Sequence, residues 1–143
     1  MKIRLLLAHA AEVQNSLLFA MGIGWTEIGP APSAFAIAAI LEVGWDETSQ
    51  MHTLEIVFED ADGQPIIVPT PAGDQPLRFP AQFEVGRPPG AVRGTSFIVP
   101  MALNVQPVQL PPGRRCVVKA RVGPDVLDEL FFVVRPLPAQ LPR

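Results

Sequence analysis

Tyrosine is absent from the 143-residue sequence, and cysteine occurs only once. A single cysteine excludes an internal disulfide and fits a reducing compartment, although a disulfide-free secreted protein would look the same. The absence of tyrosine removes one common catalytic hydroxyl and one common stacking platform for nucleotide bases.

Positive charge is also scarce. The sequence has 11 Lys and Arg against 14 Asp and Glu, which gives a formal net charge of −3 and a pI near 5.3. A protein that binds duplex DNA or an anionic membrane needs a cationic face. The composition therefore predicts neither a nucleic-acid partner nor a membrane partner.

Long hydrophobic runs are missing as well. Beyond the N-terminus the longest apolar run covers residues 34–41, which is too short to cross a bilayer. The N-terminus imitates a signal peptide by placing Lys2 and Arg4 before a run of leucines. That run is shorter than the roughly 7–15 apolar residues that a signal peptide needs. We therefore expect a cytoplasmic protein.

Proline, by contrast, is abundant, with 17 residues beside 11 glycines. So much proline leaves little room for long helices. A hydrophobic content of 48% with 17% charged residues excludes a globally disordered chain, and the length suits one domain. We expect a single domain over residues 1–136 and an extended C-terminal tail over residues 137–143.

Hydrophobicity alternates with a period of two along most of the chain, as in strands that bury one face. In residues 17–28 large side chains alternate with small ones, which predicts a strand whose large residues enter the core. These residues are Leu17, Phe19, Met21, Ile23 and Trp25. The other predicted strands cover residues 2–10, 33–45, 52–59, 64–68, 77–85, 95–105, 114–122 and 127–135. This spacing favours an antiparallel β-sandwich, immunoglobulin-like or C2-like, of about 8–9 strands.

The segment 33–45 also fits a helix, because Ser33 follows a proline and the next residues are rich in alanine. Large side chains nevertheless alternate from Phe35 to Trp45, so we predict a strand. Pro100 cannot donate a hydrogen bond to a neighbouring strand, and its own strand should therefore lie at a sheet edge or bulge there.

Several motifs together resemble a known family. They include Gly-Ile-Gly-Trp at 22–25, Glu-Val-Gly-Trp-Asp-Glu at 42–47 and Asp-Ala-Asp-Gly-Gln-Pro at 60–65. The likeness covers nearly the whole chain and is to an uncharacterised family of small single-domain bacterial proteins, a domain of unknown function with a predicted β-sandwich. The chain departs from the family pattern where His9 replaces an expected acid and where residues 21–24 replace consecutive glycines. The resemblance implies a sandwich-like domain without an assigned activity.

An acidic turn at residues 60–63 looks like the start of a calcium loop. An EF-hand loop beginning at Asp60 needs a further ligand at its fifth position and a glutamate at its twelfth. These positions hold Gln64 and Pro71, so the pattern fails. We expect a solvated hairpin turn, with a weak adventitious cation site as the alternative. A second hairpin turn is predicted at residues 123–125.

Candidate reactive side chains are few. His9, His52 and Cys116 are each predicted on the inward face of a strand, and they could hold zinc only if their strands converged. No paired ligand spacing supports that arrangement, so we interpret them as strand-end histidines and a buried thiol. The serines lie outside any G-x-S-x-G motif. We assign no catalytic residue, no metal ligand and no cofactor.

Two further groups of residues have functional alternatives. Gly22 and Gly24 share one strand face, which indicates close packing there; the alternative is a groove beside Trp25. Proline-rich loops carry arginines that could form an anion-binding patch, although ordinary solvated charge is the simpler interpretation. These arginines are Arg87, Arg93, Arg114 and Arg115.

The last strand is apolar on both faces because Phe131 and Val133 lie opposite its core-facing residues. An antiparallel sandwich normally exposes a polar outer face, so a loop, the tail or another subunit should cover this one. A subunit would form an isologous hydrophobic strip.

These observations favour a non-catalytic protein-interaction or assembly module that binds an unknown protein partner or itself. One alternative is a module that binds a small ligand or a carbohydrate with its end loops and with Trp25 or Trp45. The other is an unrecognised metal-dependent enzyme.

Overall fold

The structure, a computed structural model, describes residues 1–139. These residues are all-β, with a single 3₁₀ turn at Trp45–Glu47 and no α-helix, and they include no helix that could cross a membrane. In the predicted tail, residues 137–139 have no regular secondary structure, and residues 140–143 lie outside the described residues. The strands are β1 (Lys2–Ala8), β2 (Ala10–Gln14), β3 (Leu17–Met21), β4 (Glu27–Ile28), β5 (Phe35–Val43), β6 (Met51–Glu59), β7 (Ile67–Thr70), β8 (Gly73–Pro76), β9 (Arg78–Glu84), β10 (Phe97–Val105), β11 (Arg115–Val122) and β12 (Asp125–Val134).

Two larger sheets and two hairpins contain these strands. One sheet has the order β1-β5-β10 and the other the order β4-β12-β11-β6-β9, while β2 pairs with β3 and β7 with β8. Neighbouring strands are antiparallel except β4 and β12, which are parallel. β10 ends its sheet, in agreement with the edge position predicted from Pro100. β8 has no counterpart among the predicted strands.

Both larger sheets direct alternate side chains into one shared core. Phe35, Phe58 and Phe132 are fully buried there, and the ring centroids of Phe35 and Phe132 lie 5.6 Å apart, edge to face. Trp25 packs against both rings, at centroid distances of 6.0 and 5.6 Å. Burial of such a side chain contributes about 1.5–3 kcal/mol. The alternation along β5, β6 and β12 therefore places the core as predicted.

The two sides of this core differ. On one side β1 approaches β12, and the Leu5 N–H donates a hydrogen bond to Asp128 Oδ2 at 2.8 Å. On the other side lie the edge strands β9 and β10, which belong to different sheets. Inward-facing side chains on these strands, such as Phe79 and Met101, stay half-buried. The sheets are thus joined along one side and open along the other.

The β2–β3 hairpin, residues 10–21, is called the arm below. Its two-residue turn is formed by Asn15 and Ser16, whose φ angles are 50° and 61°. Positive φ at both central residues is typical of a type I′ turn, whose twist matches that of the two strands. The arm is therefore a regular hairpin that pairs with no other strand in the described chain.

The arm packs on the outer face of the three-stranded sheet through small side chains. Ala11 clusters with Ala36 and Ala38 of β5, and Ala20 packs against this cluster. The Asn104 side chain fixes the contact, because its Oδ1 accepts a hydrogen bond from the Ala11 N–H at 3.4 Å and its Nδ2 donates to the Ala11 carbonyl at 2.9 Å. Alanine on both sides allows the two backbones to approach closely.

The predicted strand over residues 17–28 is wrong in length and in orientation. β3 ends at Met21, and β4 is a separate short strand. Of the five large residues predicted in the core, only Trp25 packs against it; the exposed ones are Leu17, Phe19, Met21 and Ile23. The alternation separates the two faces of the strand correctly. The face with the smaller side chains is the buried one, because it rests on an alanine-rich sheet.

Two other strand predictions are resolved by the structure. The segment 33–45 contains β5, so the strand interpretation is confirmed and the helix alternative is wrong. Trp45 itself lies in the 3₁₀ turn. The predicted strand 2–10 ends early, because the chain leaves β1 after Ala8 and begins β2 at Ala10.

Candidate interaction surface

The outward face of the arm carries a row of large apolar side chains. On β3, Leu17 is 61% exposed, Phe19 50% and Met21 74%. Ile23 continues the row beyond the strand and is also more than half exposed. Large apolar side chains that adjoin one another on a surface mark interaction sites more often than single ones do. We call this row the β3 ridge.

A shallow depression lies beside the ridge. It has a volume of about 140 Å³, in the range of one side chain, and its lining is Ala10, Ala11, Glu12, Phe19 and Met21. On β2 the outward positions are Ala10, Glu12 and Gln14, which face β3 residues across the hairpin. Glu12 is the only charged residue of the arm. The outer face thus combines an apolar ridge with a lower row beside it.

The base of the arm is held by His9. The backbone N–H of His9 donates a hydrogen bond to the Met21 carbonyl at 2.8 Å. The His9 ring stacks on Trp25 with 6.1 Å between the ring centroids. Gly22 has φ +73°, and a Cβ atom there would lie 2.5 Å from His9 Nδ1. The close approach expected at Gly22 is therefore made by His9. A Cβ atom added at Gly24, in contrast, would have no neighbouring atom within 4 Å.

Trp25 closes the space beneath this contact. Its indole packs among core aromatics, and the Nε1 atom is buried without a hydrogen-bond partner. The groove considered beside Gly22, Gly24 and Trp25 is thus bounded by a ring that already contacts His9, Phe35 and Phe132. His9 thus contacts residues 21–22 through both its backbone and its ring.

The three candidate metal ligands lie in different environments. His9 is at the base of the arm, whereas His52 Nε2 is 2.7 Å from the Glu47 carbonyl. Cys116 is buried, and desolvation raises the pKa of its thiol to about 12. Among residues 1–139 no group of three His, Cys, Asp or Glu side chains is placed to hold a metal ion. A thiol with so high a pKa is a poor nucleophile.

Glu47, like Cys116, has a displaced pKa. The Met1 ammonium lies 2.9 Å from its Oε1, and the Gly44 N–H donates to the same atom at 3.0 Å. Both contacts favour the carboxylate, so they lower the pKa of Glu47 below its usual value. These bonds fasten the 3₁₀ turn to the start of the chain.

The acidic turn at residues 60–63 forms a hairpin turn. Asp60 Oδ1 accepts hydrogen bonds from the Asp62 and Gln64 N–H groups, both at 2.9 Å. Gly63 adopts φ +80°, which its lack of a Cβ allows. Backbone donors therefore already occupy one carboxylate oxygen of the turn.

The four arginines of the predicted anion patch make different contacts. Arg87 bonds the Thr48 hydroxyl at 2.7 Å and lies 4.0 Å above the Trp45 ring. Arg114 and Arg115 border a depression that also contains Asp60 and Asp62, while Arg93 is exposed in the loop before β10.

The apolar strip on β12, which the sequence predicts to be covered by a loop, the tail or another subunit, is exposed in the described part of the chain. Phe131 is 54% exposed and Val133 lies two residues further on the same outer face of the five-stranded sheet. The Arg115 guanidinium covers part of the Phe131 ring at 4.2 Å. Charged neighbours share this face, including a Lys119–Glu59 ion pair at 2.8 Å.

A family model matches residues 4–135, which is most of the chain. The chain belongs to that family, described as a family of unknown function (DUF6941). The resemblance to a family of unknown function is thereby confirmed. Neither the comparison with curated proteins nor the comparison with solved structures gives a match.

Sequence reasoning missed the arm as a separate element. The available signals were the Asn15-Ser16 pair and the small residue Ala20 on the alternate face of residues 17–21. Both fit a hairpin that rests on small side chains. The strip at Phe131 was found because both faces of one strand are apolar, a property visible in a single segment.

Proposed function

We propose that the chain is a non-catalytic assembly module that associates with a second copy of itself through the outer face of the arm. The observation that carries this proposal is the β3 ridge, in which Leu17, Phe19 and Met21 are each at least half exposed. The reverse side of the same hairpin already packs on the body of the protein. The free face is therefore the side that remains for a partner.

A second copy fits this face because the face is complementary to itself. A twofold axis across the arm would set the ridge of each copy against the lower β2 row of the other, with Phe19 or Met21 entering the depression between them. Only Glu12 carries charge on the arm, so the contact brings few like charges together.

A non-catalytic role is supported by the separation of the reactive groups. His9 and His52 have unrelated surroundings, and the Cys116 thiol is buried with a high pKa. For the end-loop alternative, the Trp45 ring already contacts the Phe97 ring and the Arg87 guanidinium, and Trp25 packs against the core. Both indole rings thus already contact protein side chains, whereas a ligand that stacks on tryptophan would need a free ring face.

We further infer that the two larger sheets form a β-sandwich that is open along its β9/β10 side, since they share one core. The cytoplasmic location remains a prediction of the sequence. The β12 strip of Phe131 and Val133 is a second surface for a protein partner, smaller and more mixed in charge than the arm.

Sedimentation equilibrium of the full chain tests the proposal. We expect the wild type to form a dimer in the micromolar range and Phe19→Ser to weaken dimerisation by roughly 100-fold, because each copy loses one buried aromatic side chain. Ile67→Ser is the matched control, since Ile67 is 53% exposed on a different hairpin. A wild-type monomer across this range would overturn the proposal.

The variant Phe131→Ser separates the two candidate surfaces. If the arm carries the contact, this variant should dimerise like the wild type while Phe19→Ser does not. Loss of the dimer in Phe131→Ser alone would assign the interface to β12 and contradict the role given to the arm.

A further inference from the structure

The open side of the core contains a cavity between the two larger sheets. Its volume is about 300 Å³, and it lies beside β9 and β10, the edge strands of the two sheets. Arg78, Pro80 and Ala102 border it from positions that alternate with the inward-facing ones. The inward-facing residues of the lining are Ile37, Ala39, Leu54, Ile56, Phe79, Ala81, Met101 and Leu103.

The lining includes side chains that a closed core would bury. Ile37 and Leu54, on the inner strands of the two sheets, are almost fully buried. Phe79, Met101 and Leu103 are core-facing residues on the edge strands, yet they remain half-buried. An apolar molecule in the cavity would remove their remaining surface from water, which favours binding.

The inward-facing side chains of the lining are all uncharged and apolar. Arg78 is the one ionisable residue among the described residues that border the cavity. It occupies an outward position of β9 and pairs with Glu55, which lies opposite Arg121 on the outer face of the five-stranded sheet. The Arg78 charge therefore belongs to that outer face. A charged group inside the cavity would lose its hydration without gaining an oppositely charged partner.

An added β-strand is a poor occupant of this side of the core. β9 contains Pro80 and β10 contains Pro100, and each proline removes one backbone N–H from an edge strand. Prolines on edge strands oppose the addition of another strand. The cavity therefore suits a small molecule better than an extended peptide or the edge of a second copy.

We propose that this cavity binds one small uncharged molecule of hydrocarbon character and discriminates against charged molecules of the same size. The volume is at the lower end of the range for ligand pockets, about 300–1,000 Å³, and apolar cavities of about half this volume take up benzene. The proposal does not depend on the arm, which covers the opposite face of the three-stranded sheet.

The methionines of the chain provide a direct test. In protein labelled with ¹³C at the methionine methyl groups, Met101 reports on the cavity, while Met21 and Met51 are exposed elsewhere. Titration with 1-octanol should shift the Met101 signal to saturation and leave the other two in place. Met101→Leu assigns the signal. No saturable change at Met101, or equal changes at all three sites, would overturn the proposal.

Octanoate tests the discrimination against charge. It has the same chain length as 1-octanol but carries a carboxylate at neutral pH. We expect octanoate to bind at least roughly tenfold more weakly than 1-octanol, because the cavity offers its charge no partner. Equal or tighter binding of octanoate, read from the same Met101 signal, would contradict an uncharged ligand.

Substitutions test the position of the ligand. Ala81→Phe fills the cavity from β9 and should abolish the Met101 response to 1-octanol, whereas Ala61→Phe, in an exposed turn, should leave it unchanged. If Ala81→Phe does not fold, Ala81→Leu serves the same purpose. Phe19→Ser should bind 1-octanol like the wild type, which separates the cavity from the arm. Retained binding in a folded, filled variant, or loss of binding in Phe19→Ser, would contradict the assignment.

Discussion

Replacing Phe132 by alanine should lower the free energy of unfolding by about 3–5 kcal/mol. The Phe132 side chain has no exposed surface and contacts Trp25 and Phe35, each at a centroid distance of 5.6 Å. Its removal takes an aromatic ring from the centre of a cluster that both sheets share, and the neighbouring rings cannot collapse into the space without moving the sheets. Urea denaturation of the purified variant measures the loss.

The adjacent residue provides the control for this prediction. Phe131 points to the outer face of the same strand, is 54% exposed and lies under the Arg115 guanidinium. Phe131→Ala should therefore cost less than about 1 kcal/mol. Similar losses in the two variants would mean that the faces of β12 are not divided as described.

Replacing Gly22 by alanine should destabilise the protein by about 2 kcal/mol or more. The backbone at Gly22 has φ +73°, which costs an alanine roughly 1–2 kcal/mol, and the new Cβ would lie 2.5 Å from His9 Nδ1. The imidazole must move to relieve this clash and would lose its stacking on Trp25. Thermal and urea unfolding of the variant give the magnitude.

Gly63→Ala separates the two causes. Gly63 has a similar φ of +80°, but nothing lies within 4 Å of a Cβ atom there, so only the backbone cost applies. In a double-mutant cycle His9→Ala should relieve part of the Gly22→Ala loss. Equal losses at Gly22 and Gly63, with no coupling to His9, would show that His9 does not pack against Gly22 in solution.

The sequence predicts those parts of the fold that depend on one strand at a time. The alternation in β5, β6 and β12 identifies Phe35, Phe58 and Phe132 as buried, because a strand with one large apolar face normally turns that face inward. Pro100 marks an edge because the missing N–H is a local property. These inferences need no knowledge of which strands are neighbours.

The arm and the cavity depend on relations between strands. Period-two alternation in residues 17–21 cannot say which face is buried until the arm is known to pack on an alanine-rich sheet. The His9–Gly22 contact joins the two ends of a hairpin whose turn was not recognised. The cavity arises from the divergence of β9 and β10, and no single segment signals how far two sheets separate.

Cross-linking at the arm tests the central claim, that the chain assembles through the β3 ridge. Cys116 is buried with a thiol pKa of about 12, so a cysteine introduced by Met21→Cys would be the reactive thiol. With a short bis-maleimide, we expect Met21→Cys to give covalent dimers more than roughly tenfold faster than Ile67→Cys, because association raises the local concentration of the arm thiols. Equal rates for the two variants would contradict the account.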